Sequence, residues 1–167
     1  MSPHPIEQVL AGLNAAGVRY LVVGGVAVVL HGHLRTTADL DLVVALDDAN
    51  AARAIQALVA LGFAPRAPVP ASQFADAAAR ASWIADKGLT VFSLWSERAA
   101  GLEVDLFVEE PFDFPEAYAR AVTVALDTTT ATVVSLPDLL AMKRRAGRAQ
   151  DRADVEALEA ISRRSGA

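Results

Sequence analysis

Apolar residues recur along the chain with two periods, one typical of helices and the other of strands. Spacings of three and four residues, as at Ile6, Val9 and Leu13, predict amphipathic helices. Helices are predicted over Pro5–Ala16, Val26–Leu30, Ala51–Leu61, Ala71–Ala85, Glu116–Ala121, Asp138–Ala146 and Asp151–Ser162. Alternation and β-branched runs predict strands over Arg19–Val23, Asp39–Leu46, Leu89–Trp95, Gly101–Val108 and Thr128–Val134.

The order of these elements indicates the fold class. Strands and helices are intermixed, and the short connection between Leu89–Trp95 and Gly101–Val108 is typical of a hairpin. No repeat or long linker separates the elements. The sequence therefore predicts one α/β domain over residues 1–167, with a mixed β-sheet flanked by helices and the two C-terminal helices packed alongside.

Composition narrows the class of protein. Of the 167 residues, 53% are apolar and 21% charged, which favours a globular chain over a disordered one. The absence of cysteine excludes disulfides and thiolate metal sites and fits a reducing cytoplasm. The apolar run from Tyr20 to Leu30 is much shorter than the ~20 residues that span a bilayer, so we expect a cytoplasmic protein without membrane partners.

The charge distribution leaves two interpretations open. A net charge of -5 argues against broad binding to nucleic acid. Basic residues nevertheless cluster near the C-terminus, at Lys143, Arg144, Arg145, Arg148 and Arg152. This cluster is either a solvated helical face or a local patch for RNA.

Two aspartates share one face of a predicted strand. Side chains alternate along a strand, so Asp39 and Asp41 point to the same surface, about 7 Å apart. Like charges on an otherwise apolar strand call for a cation, and a hard divalent ion is the natural candidate. Asp105 lies in the middle of another strand. If the two strands are neighbours, three carboxylates converge, as expected for two Mg²⁺ ions about 3.5 to 4 Å apart.

A glycine pair precedes the acidic strand. Gly24 and Gly25 end a strand and open a helix, where backbone N–H groups attract phosphate oxygens. Arg35, Thr36 and Thr37 offer a guanidinium group and hydroxyl donors to a triphosphate.

Each feature also has a structural interpretation by itself. A glycine pair is a common turn, Asp39 fits a cap, and Asp105 fits an acid that protects an edge strand. The combined spacing is much more specific. Rival motifs are missing: the sequence contains neither G-x-G-x-x-G nor G-x-x-x-x-G-K-[ST], and its three histidines lack the spacing of a zinc site.

A glycine pair, a spacer of thirteen residues, Asp-hydrophobic-Asp and a distal Asp together resemble the nucleotidyltransferase superfamily. The runs from Val23 to Ala27 and from His31 to Leu42 look like its AbiEii-type toxin branch. So do the run from Leu136 to Lys143 and the later Arg148, Asp151, Asp154 and Val155. The glycine pair departs from the Gly-Ser form, so phosphate contact would rest on backbone N–H groups.

The resemblance implies a role for each matched residue. Asp39 and Asp41 would hold both Mg²⁺ ions, and Asp105 would complete the site and serve as general base. Lys143 and Arg35 would neutralise the triphosphate of a nucleoside triphosphate (NTP) substrate. The implied reaction is attack of a hydroxyl on the α-phosphorus, with release of pyrophosphate.

Three functions remain as hypotheses. The first is transfer of a nucleotide, ATP being one candidate donor, to tRNA or a protein in a toxin–antitoxin setting, with a cognate antitoxin as partner. The second keeps the chemistry but uses a small hydroxylated acceptor such as an antibiotic, which the acidic pI of 5.1 favours for cationic drugs. The third is a catalytically inactive module that binds NTP or a partner, against which the three carboxylates argue.

Overall fold

The computed structural model describes residues 2–166 and contains one seven-stranded mixed β-sheet with helices on its faces. This confirms the predicted fold class. The α-helices are α1 (Pro5–Ala15), α2 (Gly24–Leu30), α3 (Asp48–Ala60), α4 (Ala77–Lys87), α5 (Phe114–Ala119), α6 (Leu136–Ala146) and α7 (Ala149–Arg164). The strands are β1 (Tyr20–Val23), β2 (Asp39–Val44), β3 (Ala64–Pro65), β4 (Val91–Ser96), β5 (Leu102–Phe107), β6 (Val122–Ala125) and β7 (Thr130–Val133).

The strand order is β3-β4-β5-β2-β1-β7-β6, which places β2 at the centre of the sheet. β2 pairs antiparallel with β1 and parallel with β5. The predicted hairpin is present, because β4 and β5 pair antiparallel over their whole length. β1 pairs parallel with β7, and the C-terminal helices α6 and α7 pack together beside α2.

Alternation along β2 and β5 separates the core from the site. Leu40, Leu42, Val104 and Leu106 are fully buried on one face of the sheet. The residues between them are half-buried and lie on the opposite face. Within residues 2–166, no helix has the length and apolar character needed to cross a membrane.

The segment that follows Pro65, Pro68 and Pro70 departs from prediction. The helix predicted over Ala71–Ala85 is divided into a 3₁₀ helix (Ala71–Ala75) and α4. The division falls at Asp76, which has extended backbone and accepts a hydrogen bond from the Ala78 N–H, and so caps α4. β3 and β6 were not predicted, because two and four residues are too short to display a period.

A buried asparagine joins β1, β2 and α3. The Asn50 side chain accepts a hydrogen bond from the Arg19 N–H at 2.8 Å and donates to the carbonyls of Arg19 at 3.0 Å and Ala45 at 2.8 Å. Asn50 is fully buried, and so is its hydrogen bond to the Ala45 carbonyl, so the loss of this side chain would leave buried polar groups without a partner. The contacts fix where β2 leaves the sheet and α3 begins.

We expect Asn50→Ala to lower the free energy of unfolding by about 2–3 kcal/mol, because it leaves buried backbone groups without partners. Gln56→Ala, at an exposed position of the same helix, should change it by less than about 0.5 kcal/mol. Urea denaturation followed by circular dichroism measures both. Equal stability of Asn50→Ala and the wild type would contradict this role.

Candidate active site

Two glycines sit where β1 ends and α2 begins, directly against the acidic strand. Gly24 has a φ of +66°, and a Cβ atom there would lie 2.1 Å from Asp41 Oδ2 and 3.0 Å from Asp41 Cβ. A Cβ atom on Gly25 would lie 2.5 Å from Thr37 Oγ1 and 3.1 Å from an Arg35 nitrogen. Both positions therefore exclude a side chain, because acidic and loop residues occupy that space.

Two carboxylates lie side by side on neighbouring strands. In the register of β2 and β5, Asp41 is opposite Asp105, and Asp39 is opposite Glu103. In the next pair of strands Ser93 is opposite Asp105, and its hydroxyl donates a hydrogen bond to Asp105 Oδ1 at 2.6 Å. The three strands thus place Asp41, Asp105 and Ser93 in one row on the open face of the sheet.

The acidic row lacks compensating positive charge. Burial, followed by the charges of Asp105 and Asp39, raises the pKa of Asp41 to about 6, against a smaller lowering by Lys143. Burial also raises the pKa of Asp105, against the effect of the Ser93 hydroxyl. The pKa of Asp39 is raised by burial and then by Glu103. The protein therefore holds its carboxylates close together, which favours either a proton or a cation between them.

A network of buried ion pairs borders the acidic row. Lys143 Nζ lies 3.1 Å from Asp151 Oδ1 and 3.0 Å from Asp154 Oδ2. Arg35 donates to Asp154 Oδ2 at 3.0 Å, and Arg148 Nε donates to Asp151 Oδ2 at 2.8 Å. Although burial acts in the opposite direction, these hydrogen bonds lower the pKa of both aspartates. The loop before β2 is thereby tied to α6 and α7.

The structure divides the C-terminal basic cluster, so it does not form one basic face. Lys143 is buried and paired, and Arg144 pairs with Glu159. Arg145 donates to the Pro111 carbonyl, and Arg152 donates to the Gly147 carbonyl. Only Arg145, Arg148 and the buried Lys143 line the cleft among these five residues.

A cleft with two adjoining compartments surrounds the carboxylates. The larger, about 510 Å³, has apolar walls from β4, β5 and α6, including Val91, Phe107, Leu139 and Met142. The smaller, about 300 Å³, is polar and lies against the glycine pair and the loop before β2. Both compartments are lined by Gly24, Asp41, Lys143, Arg148 and Asp151.

The cleft unites the residues singled out from the sequence. Gly24, Gly25, Arg35, Thr37, Asp39, Asp41 and Lys143 line the smaller compartment, and Asp105 lines the larger one. Sequence reasoning missed Ser93, which only the β4–β5 register reveals. It also gave no role to Asp151 and Asp154, although Asp is unusual at a buried helix position.

The donor chemistry of the row suits a hard cation. Carboxylate oxygens are the ligands that Mg²⁺ prefers, and Asp41 and Asp105 lie opposite each other on β2 and β5. Among residues 2–166, no group of three His, Cys, Asp or Glu side chains is arranged to hold a metal. The fit therefore rests on the Asp41–Asp105 pair, with Asp39 two residues earlier in β2, opposite Glu103.

The fold is that of a nucleotidyltransferase. Residues 6–165 match the profile of a family described as nucleotidyltransferase of unknown function (DUF6036), and the chain belongs to this family. The match covers almost the whole chain and supports the expected NTP-using transferase class. A search of curated proteins gives no significant match.

Solved structures share this fold at low sequence identity. The lincosamide antibiotic adenylyltransferase LnuA, bound to lincomycin, aligns with a TM-score of 0.62 at 16% identity over 96% of this chain and 98% of that chain. An antigenic nucleotidyltransferase-like protein from Paracoccidioides brasiliensis aligns with a TM-score of 0.59 at 17% identity, over 94% of this chain and 74% of that chain. ANT(2")-Ia, in complex with adenylyl-2"-tobramycin, aligns with a TM-score of 0.57 at 12% identity, over 93% of this chain and 91% of that chain. At these identities the likeness establishes the fold alone.

Gly24→Ala and Gly17→Ala form a matched pair of substitutions. Both glycines have nearly the same φ, +66° and +68°, but a Cβ atom on Gly17 meets nothing within 4 Å. We expect Gly17→Ala to cost roughly 1–2 kcal/mol of backbone strain. Gly24→Ala should cost at least about 2 kcal/mol more, because Asp41 must be displaced. Chemical denaturation compares the two, and equal costs would contradict the crowding at Gly24.

The raised pKa of Asp41 also predicts how stability changes with pH. The folded chain binds this proton more tightly than the unfolded chain, so stability falls as pH rises from the ordinary value of 3.8 through about 6. Asp41→Asn should remove this loss and stabilise the metal-free protein at pH 8 by about 1–2 kcal/mol. Thermal unfolding in EDTA between pH 5 and 8 measures it. A wild-type pH profile that Asp41→Asn leaves unchanged would contradict the assignment.

Proposed function

We propose that this protein transfers a nucleoside monophosphate from an NTP to a hydroxyl acceptor, with Mg²⁺ bound by Asp39, Asp41 and Asp105. The observation that carries the proposal is the half-buried pair of Asp41 and Asp105 on adjacent parallel strands, packed against a glycine pair that has no room for side chains. A structural role explains such a pair poorly, because uncompensated like charges destabilise a sheet.

The chemistry divides between the cation and the chain. Bound at the carboxylates, Mg²⁺ would neutralise triphosphate oxygens and lower the pKa of the acceptor hydroxyl. The hydroxyl oxygen forms a bond to the α-phosphorus, the bond from that phosphorus to the bridging oxygen breaks, and pyrophosphate leaves. Asp105 takes the hydroxyl proton, and Ser93 holds its Oδ1 at 2.6 Å so that the carboxylate keeps its orientation.

The positive side chains of the cleft belong to the phosphate end of the reaction. Arg148 lines both compartments, and its side chain is 77% exposed although Nε and Nη2 both donate to Asp151. Its remaining guanidinium N–H groups are available to a phosphate. Lys143 and Arg35 contribute positive charge without direct contact to the phosphate, because both form ion pairs with Asp154.

The same network supports kinship with the AbiEii-type toxin branch. Arg35 belongs to the loop motif before β2, whereas Lys143, Arg148, Asp151 and Asp154 belong to the C-terminal motif. Through Asp154, ion pairs join the two motifs into one unit, as expected if both serve one site. We propose on this ground that the chain works in a toxin–antitoxin setting with a cognate antitoxin.

Two classes of acceptor fit different observations. Arg145 and Arg148 at the cleft favour RNA, but three of the five clustered basic residues are paired with acids in the fold. The acidic row favours a small hydroxylated molecule that carries positive charge. LnuA and ANT(2")-Ia, which share the fold, are described with such antibiotics. We propose the small acceptor first and RNA second.

Mass spectrometry of the acceptors tests this proposal. The wild type is incubated with Mg²⁺ and each of the four NTPs, together with total RNA, tobramycin or lincomycin, and nucleotide-mass adducts are sought. Asp41→Asn and Asp105→Asn should each reduce transfer by at least about 10³-fold, because they remove charge at the reacting centre. Asp127→Asn, at an exposed acid that does not line the cleft, should leave transfer unchanged.

Transfer that persists in both active-site variants would contradict the proposed roles. If wild-type protein shows neither transfer nor Mg²⁺-dependent affinity for any NTP, the proposal of an active enzyme fails, and an inactive interaction module replaces it.

A further inference from the structure

The strand order gives the carboxylate pair two different sides. On the β1 side lies the glycine pair, whereas Lys143 and Arg148 line both compartments of the cleft. On the β4 side lie Ser93 and Trp95, followed by β3. The glycine pair, whose backbone N–H groups suit phosphate oxygens, therefore lies on the β1 side alone, and this asymmetry assigns the triphosphate to the β1 side if the proposed function holds.

The geometry of phosphoryl transfer then assigns the acceptor. Attacking and leaving oxygens stand roughly in line through the phosphorus, so the acceptor hydroxyl enters from the side opposite the pyrophosphate. With pyrophosphate on the β1 side, the acceptor lies over β5 and β4. The residues of that open face are the ones that can select it.

Trp95, Glu103 and Arg66 form a compact group on that face, next to the carboxylates. Across the sheet, Trp95 is opposite Glu103, and Glu103 is opposite Asp39. This second row runs beside the row of Ser93, Asp105 and Asp41. The Arg66 guanidinium lies 4.8 Å from the centroid of the Trp95 ring, and its Nε lies 3.3 Å from Glu103 Oε1. The backbone N–H of Arg66 donates to the Ser93 carbonyl, which fixes the base of this side chain.

We propose that Trp95 and Glu103 form the subsite for an amine-bearing, hydroxylated small acceptor, and that Arg66 occupies this subsite until the acceptor's ammonium group displaces it. The inference rests on the proposed function, whose acceptor it specifies. An aromatic face and a carboxylate are the two partners that a protonated amine seeks. In the free protein the Arg66 guanidinium already contacts both the Trp95 ring and the Glu103 carboxylate.

Displacement of Arg66 by an ammonium group costs little free energy, because the Arg66–Glu103 pair is partly exposed. The side chains of Arg66 and Glu103 are 50% and 28% exposed, and an ion pair in such surroundings contributes little to stability. Arg66 is also not enough to neutralise this face, because Glu103 and Asp39 lie opposite each other and Arg66 forms its ion pair with Glu103. The face thus retains negative charge, which attracts a small cation and repels the phosphates of RNA.

Isothermal titration calorimetry of tobramycin and lincomycin tests the subsite, in low salt with Mg²⁺ and a non-hydrolysable ATP analogue. We expect Glu103→Gln and Trp95→Leu each to weaken binding by roughly five- to tenfold, and Trp95→Phe to retain most of it. Arg66→Ala should tighten binding by about two- to fivefold, because the internal competitor is removed. Glu159→Gln and Arg19→Ala are matched controls away from this face.

Opposite effects of substitutions at paired residues are the signature of displacement. Unchanged affinity in Glu103→Gln, weaker binding in Arg66→Ala, or no binding of either compound to the wild type would overturn the inference. Selective binding of tRNA in place of both amines would also overturn it. Thermal unfolding establishes that each variant is folded.

Titration with the ATP analogue alone separates this inference from the proposed function. If the wild type shows no Mg²⁺-dependent affinity for the ATP analogue, the proposed function itself is contradicted. Intact nucleotide affinity in every variant, with amine binding insensitive to Trp95 and Glu103, would remove only the acceptor subsite.

Discussion

Repulsion between Asp41 and Asp105 is the constraint on which the site depends. The parallel pairing of β2 with β5 places the two carboxylates opposite each other at the centre of the sheet. The apolar alternation on the other face maintains this pairing, because a slip of one residue would bring the acids into the core. The fold therefore enforces a contact that electrostatics opposes, and a cation is the ligand that relieves it.

Neighbouring features of the molecule accommodate this strained pair. Gly24 leaves the space that the Asp41 carboxylate fills, and Ser93 fixes Asp105 by a hydrogen bond. Lys143 lies close enough to lower the pKa of Asp41, yet two aspartates hold its ammonium group away. The resident charge is thus insufficient to neutralise the row, and the site remains able to bind an external cation and its phosphate ligand.

Local patterns in the sequence predicted much of this arrangement. Period-two alternation assigned Asp39, Asp41 and Asp105 to one face of their strands, and the structure agrees. The adjacency of β2 and β5 could not be derived, because more than fifty residues separate Asp41 from Asp105 and no local signal reports the pairing. The same limit hid Ser93, whose importance comes only from the β4–β5 register. Lys143 was expected as a cation for the triphosphate, but its partners lie on the next helix, beyond Gly147.

The most direct measurement of the central claim is the proton released when a divalent cation binds. Titrations of Mg²⁺, or of Mn²⁺ as a substitute, are carried out at pH 6 in two buffers of different ionisation enthalpy. Because the pKa of Asp41 is about 6, binding should release a substantial fraction of one proton at pH 6 and almost none at pH 8. Asp41→Asn should abolish both the release and most of the affinity. Binding that releases no proton at pH 6, or that survives Asp41→Asn, would contradict the account.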